Sequence, residues 1–161
     1  MVLSTLLSNI YSEHSLLKSG LTIKAYVQRA KQLGYKNIAL TDYHTLSGVY
    51  PFIKECEAAD LKPLIGIECT VLVKDVRIVV RLLAKNEQGY QQLIEISSVI
   101  GLSKDKGISY EQFQLYSTEC IIFLSEQSFI QAKDWYKRWL ALTSHSCLLY
   151  TSDAADEEDS V

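Results

Sequence analysis

Apolar and polar positions alternate along the chain in a way that predicts helices and short strands in turn. Apolar residues recur at helical spacing from Ile23 to Leu33, directly after Thr22, a residue type that caps helix N-termini. The next apolar run, residues 37–42, is short and ends in the carboxylate of Asp42. It therefore predicts a buried strand that places an acidic side chain at its end.

The same alternation continues to residue 140. A second helix is expected from Thr45 to Cys56, and Pro51 inside that run predicts either a kink or a later start. The further elements predicted are strands at 61–73 and 76–84, a helix from Asn86 to Gly101, a short helix at 110–116, a strand at 120–125 and a helix at 128–140. Strands alternating with helices of this length predict an α/β fold with a mainly parallel sheet or barrel.

Two acidic residues fall where such a fold places functional groups, at the carboxyl ends of strands. Asp42 ends one predicted strand, and Glu68 lies within or near the end of another. Both carboxylates could then point into the same mouth of a barrel. The alternative interpretation is that Asp42 only caps the turn into the helix that starts near Thr45.

Composition is that of a globular domain without a membrane segment. The chain has 161 residues, 48% of them hydrophobic, and every apolar run is too short to cross a bilayer. The N-terminus lacks the basic residues and the cleavage site of a signal peptide, so a cytoplasmic protein with no membrane partner is expected. Four cysteines lie far apart without a C-x-x-C pair, which favours reduced thiols in the core over a zinc site.

Charge is unevenly distributed. The chain has 16 basic and 19 acidic residues, and five of the acids lie within residues 153–159. The remainder is nearly neutral and contains no basic stripe of the kind that binds nucleic acid directly. Contact with DNA would therefore have to come from another part of a larger protein.

Several separated segments, in matching order and spacing, resemble one known family. They are SLLKSG, RAKQLG, IALTD, FIKEC and LKPLIGIE, followed by LLAKNEQGYQQLIEISSVI. Together they resemble the N-terminal polymerase and histidinol phosphatase (PHP) domain of bacterial DNA polymerase III alpha subunits, from about residue 4 to about residue 140. The last segment is more typical of the polymerases than of free-standing PHP phosphatases, and its ending resembles the shorter alpha subunits of Gram-positive bacteria.

The resemblance implies a distorted (β/α) barrel whose mouth, in intact members, holds divalent metals between histidines, aspartates and glutamates. Two ligand positions keep their residue type, Asp42 and Glu68. The other ligand positions that can be placed carry residues unsuited to the metals: Asn9, Tyr11, Lys18, Tyr43, Val79 and Gln127. We therefore expect a degenerate site with no bound metal, no cofactor and no catalytic residue, because the remaining carboxylates cannot complete a coordination shell.

Three histidines remain to be considered. His14 and His44 each lie one residue away from a ligand position and could be displaced substitutes, but a one-residue shift turns a side chain to the other face of an extended chain. Lys18 would in addition repel a bound cation. His145 lies outside the match and is expected in an exposed loop.

Three functional interpretations stay open. The first is an N-terminal fragment of a replicative DNA-directed DNA polymerase, a nucleotidyltransferase acting in DNA replication, in which the PHP domain has a structural role. Its partners would be the palm and thumb of the same polymerase chain, with DNA and the replication clamp reached through the parent protein, which would use Mg²⁺. The second is a free-standing PHP metal-dependent phosphoesterase, and the third is a non-enzymatic interaction module.

Domain organisation depends on the first interpretation. Residues 1–146 are expected to form a partial PHP domain, truncated before the barrel closes, without the polymerase active site. Residues 147–161 match nothing expected of the family and are expected to be a non-native or disordered acidic tail.

Overall fold

The computed structural model describes residues 10–15 and 18–124. Its helices are α1 (Ile23–Gln32), α2 (Val49–Ala59), α3 (Glu87–Leu102) and α4 (Tyr110–Tyr116), and its strands are β1 (Asn37–Leu40), β2 (Lys62–Val73), β3 (Val76–Ala84), β4 (Ile108–Ser109) and β5 (Cys120–Leu124). The helix predicted at 128–140 and the acidic tail lie outside the described residues. No helix among those described is long and apolar enough to cross a membrane.

The predicted N-terminal caps of α1 and α3 are confirmed. Thr22 and Asn86 cap α1 and α3, since their side-chain oxygens accept hydrogen bonds from backbone N–H groups in the first turn. Helix α2 begins at Val49, later than the expected start at Thr45, which is the second of the two outcomes predicted from Pro51. Pro51 lies in the first helical turn, where a missing N–H leaves no hydrogen bond unmade.

Strand β2 organises the sheet by pairing along both of its edges. Its first residues, Lys62–Ile65, pair in parallel with β1, whereas Gly66–Val73 pair antiparallel with β3. Strand β4 pairs in parallel with β2 at Val71 and Leu72, and β5 lies antiparallel to β3. The α/β class is confirmed, and across the described residues the sheet does not close on itself.

The prediction of a mainly parallel sheet is wrong for β3, which runs antiparallel to both of its neighbours, β2 and β5. Only Lys74 and Asp75 separate β2 from β3. A connection of two residues makes an antiparallel hairpin, because a parallel crossover needs a dozen residues or more. The apolar runs on either side of the turn are equally consistent with both directions, so the length of the connection was the signal that mattered.

Helices cover one face of the sheet and form the main core. Alternate residues of β2, including Ile67, Cys69 and Val71, pack with Leu93 and Ile96 of α3 in one buried cluster. Helices α1 and α2 form a second cluster with β1. Three cysteines, Cys56, Cys69 and Cys120, are buried free thiols, as predicted. The fourth lies outside the described residues.

The opposite face of β2 carries the remaining alternate positions and is partly polar. A small apolar cluster of Ala39, Leu83 and Phe123 covers one end of it. Glu68 and Thr70 lie further along β2 and are both buried. A buried carboxylate on a sheet face requires donors nearby, and those donors define the candidate site.

Gly66 is the residue of β2 where the pairing changes from β1 to β3, and it has no room for a side chain. A Cβ there would collide with the Leu82 carbonyl oxygen and crowd Leu83 and Thr41. Gly66→Ala should lower the free energy of unfolding by about 1–3 kcal/mol, since backbone atoms cannot move aside without breaking the ladder. Urea unfolding followed by circular dichroism measures the change.

The matched control is Gly101→Ala in α3, where a Cβ would meet nothing within 4 Å. This variant should keep or raise stability by about 0.5–1 kcal/mol, the usual difference between alanine and glycine in a helix. Equal effects of the two substitutions would contradict the packing described for Gly66.

Candidate functional site

The chain after β1 stays in register with β2, and this aligns Asp42, Tyr43 and His44 with Glu68. Tyr43 forms an isolated parallel bridge with Glu68. The Glu68 N–H donates to the Asp42 carbonyl at 3.0 Å, and the His44 N–H donates to the Glu68 carbonyl at 2.8 Å. Asp42 and Glu68, the two residues expected at ligand positions, are therefore adjacent through their backbones.

Glu68 accepts three side-chain hydrogen bonds on this face, and only 1% of the residue is exposed. Its Oε1 accepts from the Lys18 Nζ at 2.9 Å. Its Oε2 accepts from the Tyr11 hydroxyl at 2.6 Å and from the Arg81 Nε at 2.8 Å. Arg81 lies directly opposite Glu68 across the β2–β3 ladder. Two cations and a phenol thus surround one buried carboxylate.

Asp42 is equally buried but has a different, uncharged set of donors. Its Oδ1 accepts from the Ser12 N–H at 2.7 Å and from the Ser15 hydroxyl at 2.6 Å, and its Oδ2 accepts from the Ser12 hydroxyl at 2.7 Å. These bonds tie the segment before α1 to the end of β1. They do not correspond to a cap on the turn near Thr45, which was the alternative interpretation.

The residues that replace expected metal ligands converge on Glu68. Tyr11 and Lys18 bind the carboxylate directly, and the Lys18 Nζ lies 3.7 Å from the centroid of the Tyr43 ring and 5.0 Å from that of Tyr11. The Tyr43 hydroxyl lies 3.3 Å from the Thr70 Oγ1. The ammonium of Lys18 is therefore held by a carboxylate and by aromatic faces together.

Burial and hydrogen bonding keep Tyr11 neutral. Its loss of solvent and its bond to Glu68 raise the pKa of the phenol to about 12. At neutral pH the hydroxyl therefore donates to the carboxylate and carries no charge of its own.

Neither candidate histidine donates to a kept carboxylate in the contacts described. His44 has a left-handed backbone, with φ of 62°, and its Nε2 lies 3.0 Å from the Thr70 Oγ1. Its ring stacks on Tyr43 with 3.7 Å between centroids. The Nδ1 of His14 lies 3.2 Å from the Ser47 Oγ.

The remaining predicted positions Asn9, Gln127 and His145 lie outside the described residues. Val79 is a half-buried residue of β3, paired with Thr70.

Sequence reasoning missed three contributors to the site: Ser12, Ser15 and Arg81. The position of Arg81 could have been found from the sequence, because Arg81 lies two residues beyond the expected ligand position Val79 and therefore on the same face of the strand. Ser12 and Ser15 had no such signal, since isolated serines near a chain start are common and only the fold brings them to Asp42.

The described residues do not fit a divalent metal cluster. They contain no group of three or more His, Cys, Asp or Glu side chains placed to hold an ion. Each kept carboxylate already accepts three hydrogen bonds, out of about four lone-pair positions that a carboxylate offers. A metal at Glu68 would also have to displace the Lys18 ammonium or lie against it.

The family model for the PHP domain matches residues 9–153. The chain therefore belongs to the PHP domain family, which the order of its sequence motifs had predicted.

Curated relatives of this chain are DNA polymerase III alpha subunits. The subunit of Halalkalibacterium halodurans is 34% identical over 116 residues, which cover 70% of this chain and 10% of that protein. The subunit of Bacillus subtilis is 41% identical over 101 residues, covering 61% of this chain and 9% of its own length. The chain thus spans about a tenth of the length of the curated relatives it matches.

Among solved structures, an amidohydrolase from Chromobacterium violaceum aligns with 80% of this chain and 71% of its own. The TM-score is 0.49 and the sequence identity 11%. A likeness of that size is too distant to bear on function.

The environment of His44 predicts a specific pH dependence of stability. Burial, and then the neighbouring Lys18, lower the pKa of the imidazole from 6.5 to about 4. Between pH 6.5 and pH 4 the unfolded state binds more protons than the folded state, so stability falls as the pH falls through this range. Because the imidazole is only half buried, its contribution should be on the order of 1 kcal/mol.

His44→Asn should therefore reduce the loss of stability between pH 6.5 and pH 4, measured by urea unfolding at both pH values. Asparagine tolerates the left-handed backbone of this position, so the substitution does not add strain there. His14→Asn is the matched control and should keep the full loss, because it retains His44. An unchanged pH dependence in His44→Asn would contradict the environment described.

Proposed function

We propose that this chain is the N-terminal PHP part of a bacterial DNA polymerase III alpha subunit, with an architectural rather than a catalytic function. The observation that carries the proposal is the internal replacement at Glu68, where Lys18, Arg81 and Tyr11 take up the carboxylate that a metal would need. Identities of 34–41% to alpha subunits support the polymerase context. A short, Gram-positive-like form is part of the proposal, supported by the match to the Bacillus subtilis subunit.

The architectural function rests on what the two carboxylates join. Asp42 binds Ser12 and Ser15, and Glu68 binds Tyr11 and Lys18, so both side chains fasten the segment before α1 to the sheet. Hydrogen bonds to charged groups contribute about 1.5–3 kcal/mol each, and a buried charge that loses its partner is strongly destabilising. The hydrogen bonds of Asp42 and Glu68 thus form an internal junction, which connects the segment before α1 to the sheet.

Polymerase chemistry would belong to the remainder of the parent protein. We propose that the partners of this domain are the palm and thumb of that chain, with DNA and the replication clamp reached through them and Mg²⁺ used in the polymerase site. Replication of bacterial DNA places such a protein in the cytoplasm. No residue of this chain is assigned a catalytic role.

The free-standing phosphoesterase interpretation is less well supported by the geometry. It requires metal ligands at the positions of Tyr11, Lys18 and Tyr43, and these side chains instead surround the Glu68 carboxylate or the Lys18 ammonium. A non-enzymatic interaction module would have the same internal junction and would differ only in the downstream part of its gene.

The metal content of the purified chain tests the proposal that the site around Asp42 and Glu68 binds no metal. The purified chain, incubated with Mn²⁺ and dialysed, should retain far less than one metal ion per molecule and should not hydrolyse bis(p-nitrophenyl) phosphate. Asp42→Asn should change neither result, and neither should Asp60→Asn at the exposed end of α2, the matched control. Stoichiometric metal, or turnover that Asp42→Asn abolishes and Asp60→Asn does not, would overturn the proposal.

The parent gene tests the polymerase context. Its reading frame beyond this chain should encode a palm domain with paired aspartates, and the continuous protein should extend a primed DNA template when Mg²⁺ is supplied. The 161-residue chain should show no nucleotide incorporation under the same conditions. A reading frame without a palm domain would refute this context and favour the interaction module.

A further inference from the structure

Helix α1 presents a solvent-facing surface whose charged side chains are all positive. Between Glu13 and Asp42 the chain has five basic residues and no acidic one. Three of these bases, Lys24, Arg29 and Lys31, are exposed residues of α1. The chain as a whole has a net charge of −3, so its average conceals this local surplus of positive charge.

The positive surface continues beyond the end of the helix. Lys36 is exposed, and its carbonyl accepts a hydrogen bond from the Lys62 N–H at 2.9 Å. Lys62 is the exposed first residue of β2. The surface therefore extends from α1 to the edge of the sheet where β1 and β2 begin. The α1 basic surface consists of the five exposed side chains of Lys24, Arg29, Lys31, Lys36 and Lys62.

No carboxylate of the described residues neutralises this surface. The ion pairs in the described part of the chain are those of Lys18 and Arg81 with Glu68, and the α1 basic surface takes part in neither. Arg29 donates to the Gln32 side chain, which is uncharged. On a typical protein surface charges of both signs are interspersed. The positive charge of the α1 basic surface is thus available to a partner.

The apolar face of α1 is already used inside the protein. Ile23, Tyr26, Val27 and Ala30 are buried in one cluster with side chains of β1 and α2. A helix that binds a membrane surface must insert a free apolar face between the lipids, and α1 has none to offer. A partner of α1 must therefore be recognised by its charge and its hydrogen-bonding groups.

The spacing of the cations suits a regular polyanion. Lys24 and Lys31 lie two turns apart on the same side of α1, at about 10 Å along the helix axis. Three nucleotides of one strand of duplex DNA rise by about the same distance. Gln28 is exposed between the two lysines, and amide side chains also bind phosphate oxygens. The helix thus presents a row of donors to a phosphate backbone.

We propose that the α1 basic surface binds the phosphate backbone of duplex DNA without reading the base sequence. Lysine and arginine that neutralise phosphates release counterions, and this release favours binding to any sequence. None of the five cations bonds to Asp42 or Glu68, so the surface is distinct from the internal junction. The inference rests on the proposed polymerase function for the presence of DNA, and it gives this domain a direct contact with that DNA.

Fluorescence anisotropy of a short fluorescein-labelled DNA duplex, titrated with the full 161-residue chain at low salt, tests the surface. The logarithm of the binding constant should fall linearly with the logarithm of the salt concentration, by about 0.9 for each phosphate contacted. The double variant Lys24→Gln, Lys31→Gln should lower this slope by about 2 and weaken binding at least about tenfold. Glutamine keeps the helix propensity of lysine, so α1 should stay folded.

The matched control is the double variant Lys54→Gln, Lys104→Gln, which removes the same net charge from exposed residues of α2 and of the loop after α3. It should keep the salt dependence of the unchanged chain. Lys24→Arg with Lys31→Arg should also keep it, because the charges remain. Absence of saturable binding, or an equal loss in the two glutamine variants, would overturn the proposal.

Two further probes distinguish DNA from other polyanions. Phosphatidylserine vesicles and poly-L-glutamate should each displace the labelled duplex less effectively than unlabelled duplex does at equal charge. Stronger displacement by either one would assign the surface to a membrane or to an acidic protein and would overturn the proposal. A negative result with DNA would leave the proposed function standing, because metal content and the parent reading frame test that function separately.

A second measurement identifies the lysines in contact. Bound duplex should slow the acetylation of Lys24 and Lys31 by acetic anhydride at least about fivefold more than that of Lys54, as followed by mass spectrometry. Because it uses the unchanged chain, this measurement holds even if a variant fails to fold. Equal protection of all three lysines would contradict binding at the α1 basic surface.

Discussion

A carboxylate buried on a sheet face is the constraint on which the rest of this site depends. Glu68 is 1% exposed, and an ionised group so removed from water costs several kcal/mol unless charge and hydrogen bonds compensate it. In a metal-binding relative that compensation would come from divalent ions. In this chain it comes from the side chains of Lys18, Arg81 and Tyr11, which turns a potential ligand for a cation into the centre of an internal ion-pair cluster.

This replacement accounts for the position of several other parts of the fold. Ser12 and Ser15 bind Asp42 and so hold the segment before α1 across the end of β1. Lys18 belongs to that segment and therefore lies within reach of Glu68. Arg81 reaches it because the two-residue turn after β2 makes β3 antiparallel and places the two residues opposite each other. A protein cation cannot be lost by dialysis or chelation, so a domain built in this way keeps its junction whatever the metal supply.

Much of the framework could be predicted from the sequence, because it depends on local patterns. Helices α1 and α3 and their caps Thr22 and Asn86 are explained by spacing and by side-chain chemistry. The direction of β3 was missed, since an apolar strand has the same pattern in either direction. Comparison with the family pattern predicted that Tyr11, Lys18 and Tyr43 stand where metal-binding members would have histidine or aspartate, and that remains a prediction.

The sequence alone thus determined the order of the helices and longer strands, though not the short strand β4, and the burial of Cys56, Cys69 and Cys120, and it singled out the two carboxylates Asp42 and Glu68. Only the tertiary structure decided what those carboxylates do, because their partners lie 13 to 57 residues away along the chain. Residue type shows that Lys18 is a cation where a ligand aspartate is expected. That its ammonium binds Glu68 against the face of Tyr43 depends on chain register and strand pairing, which have no local signature.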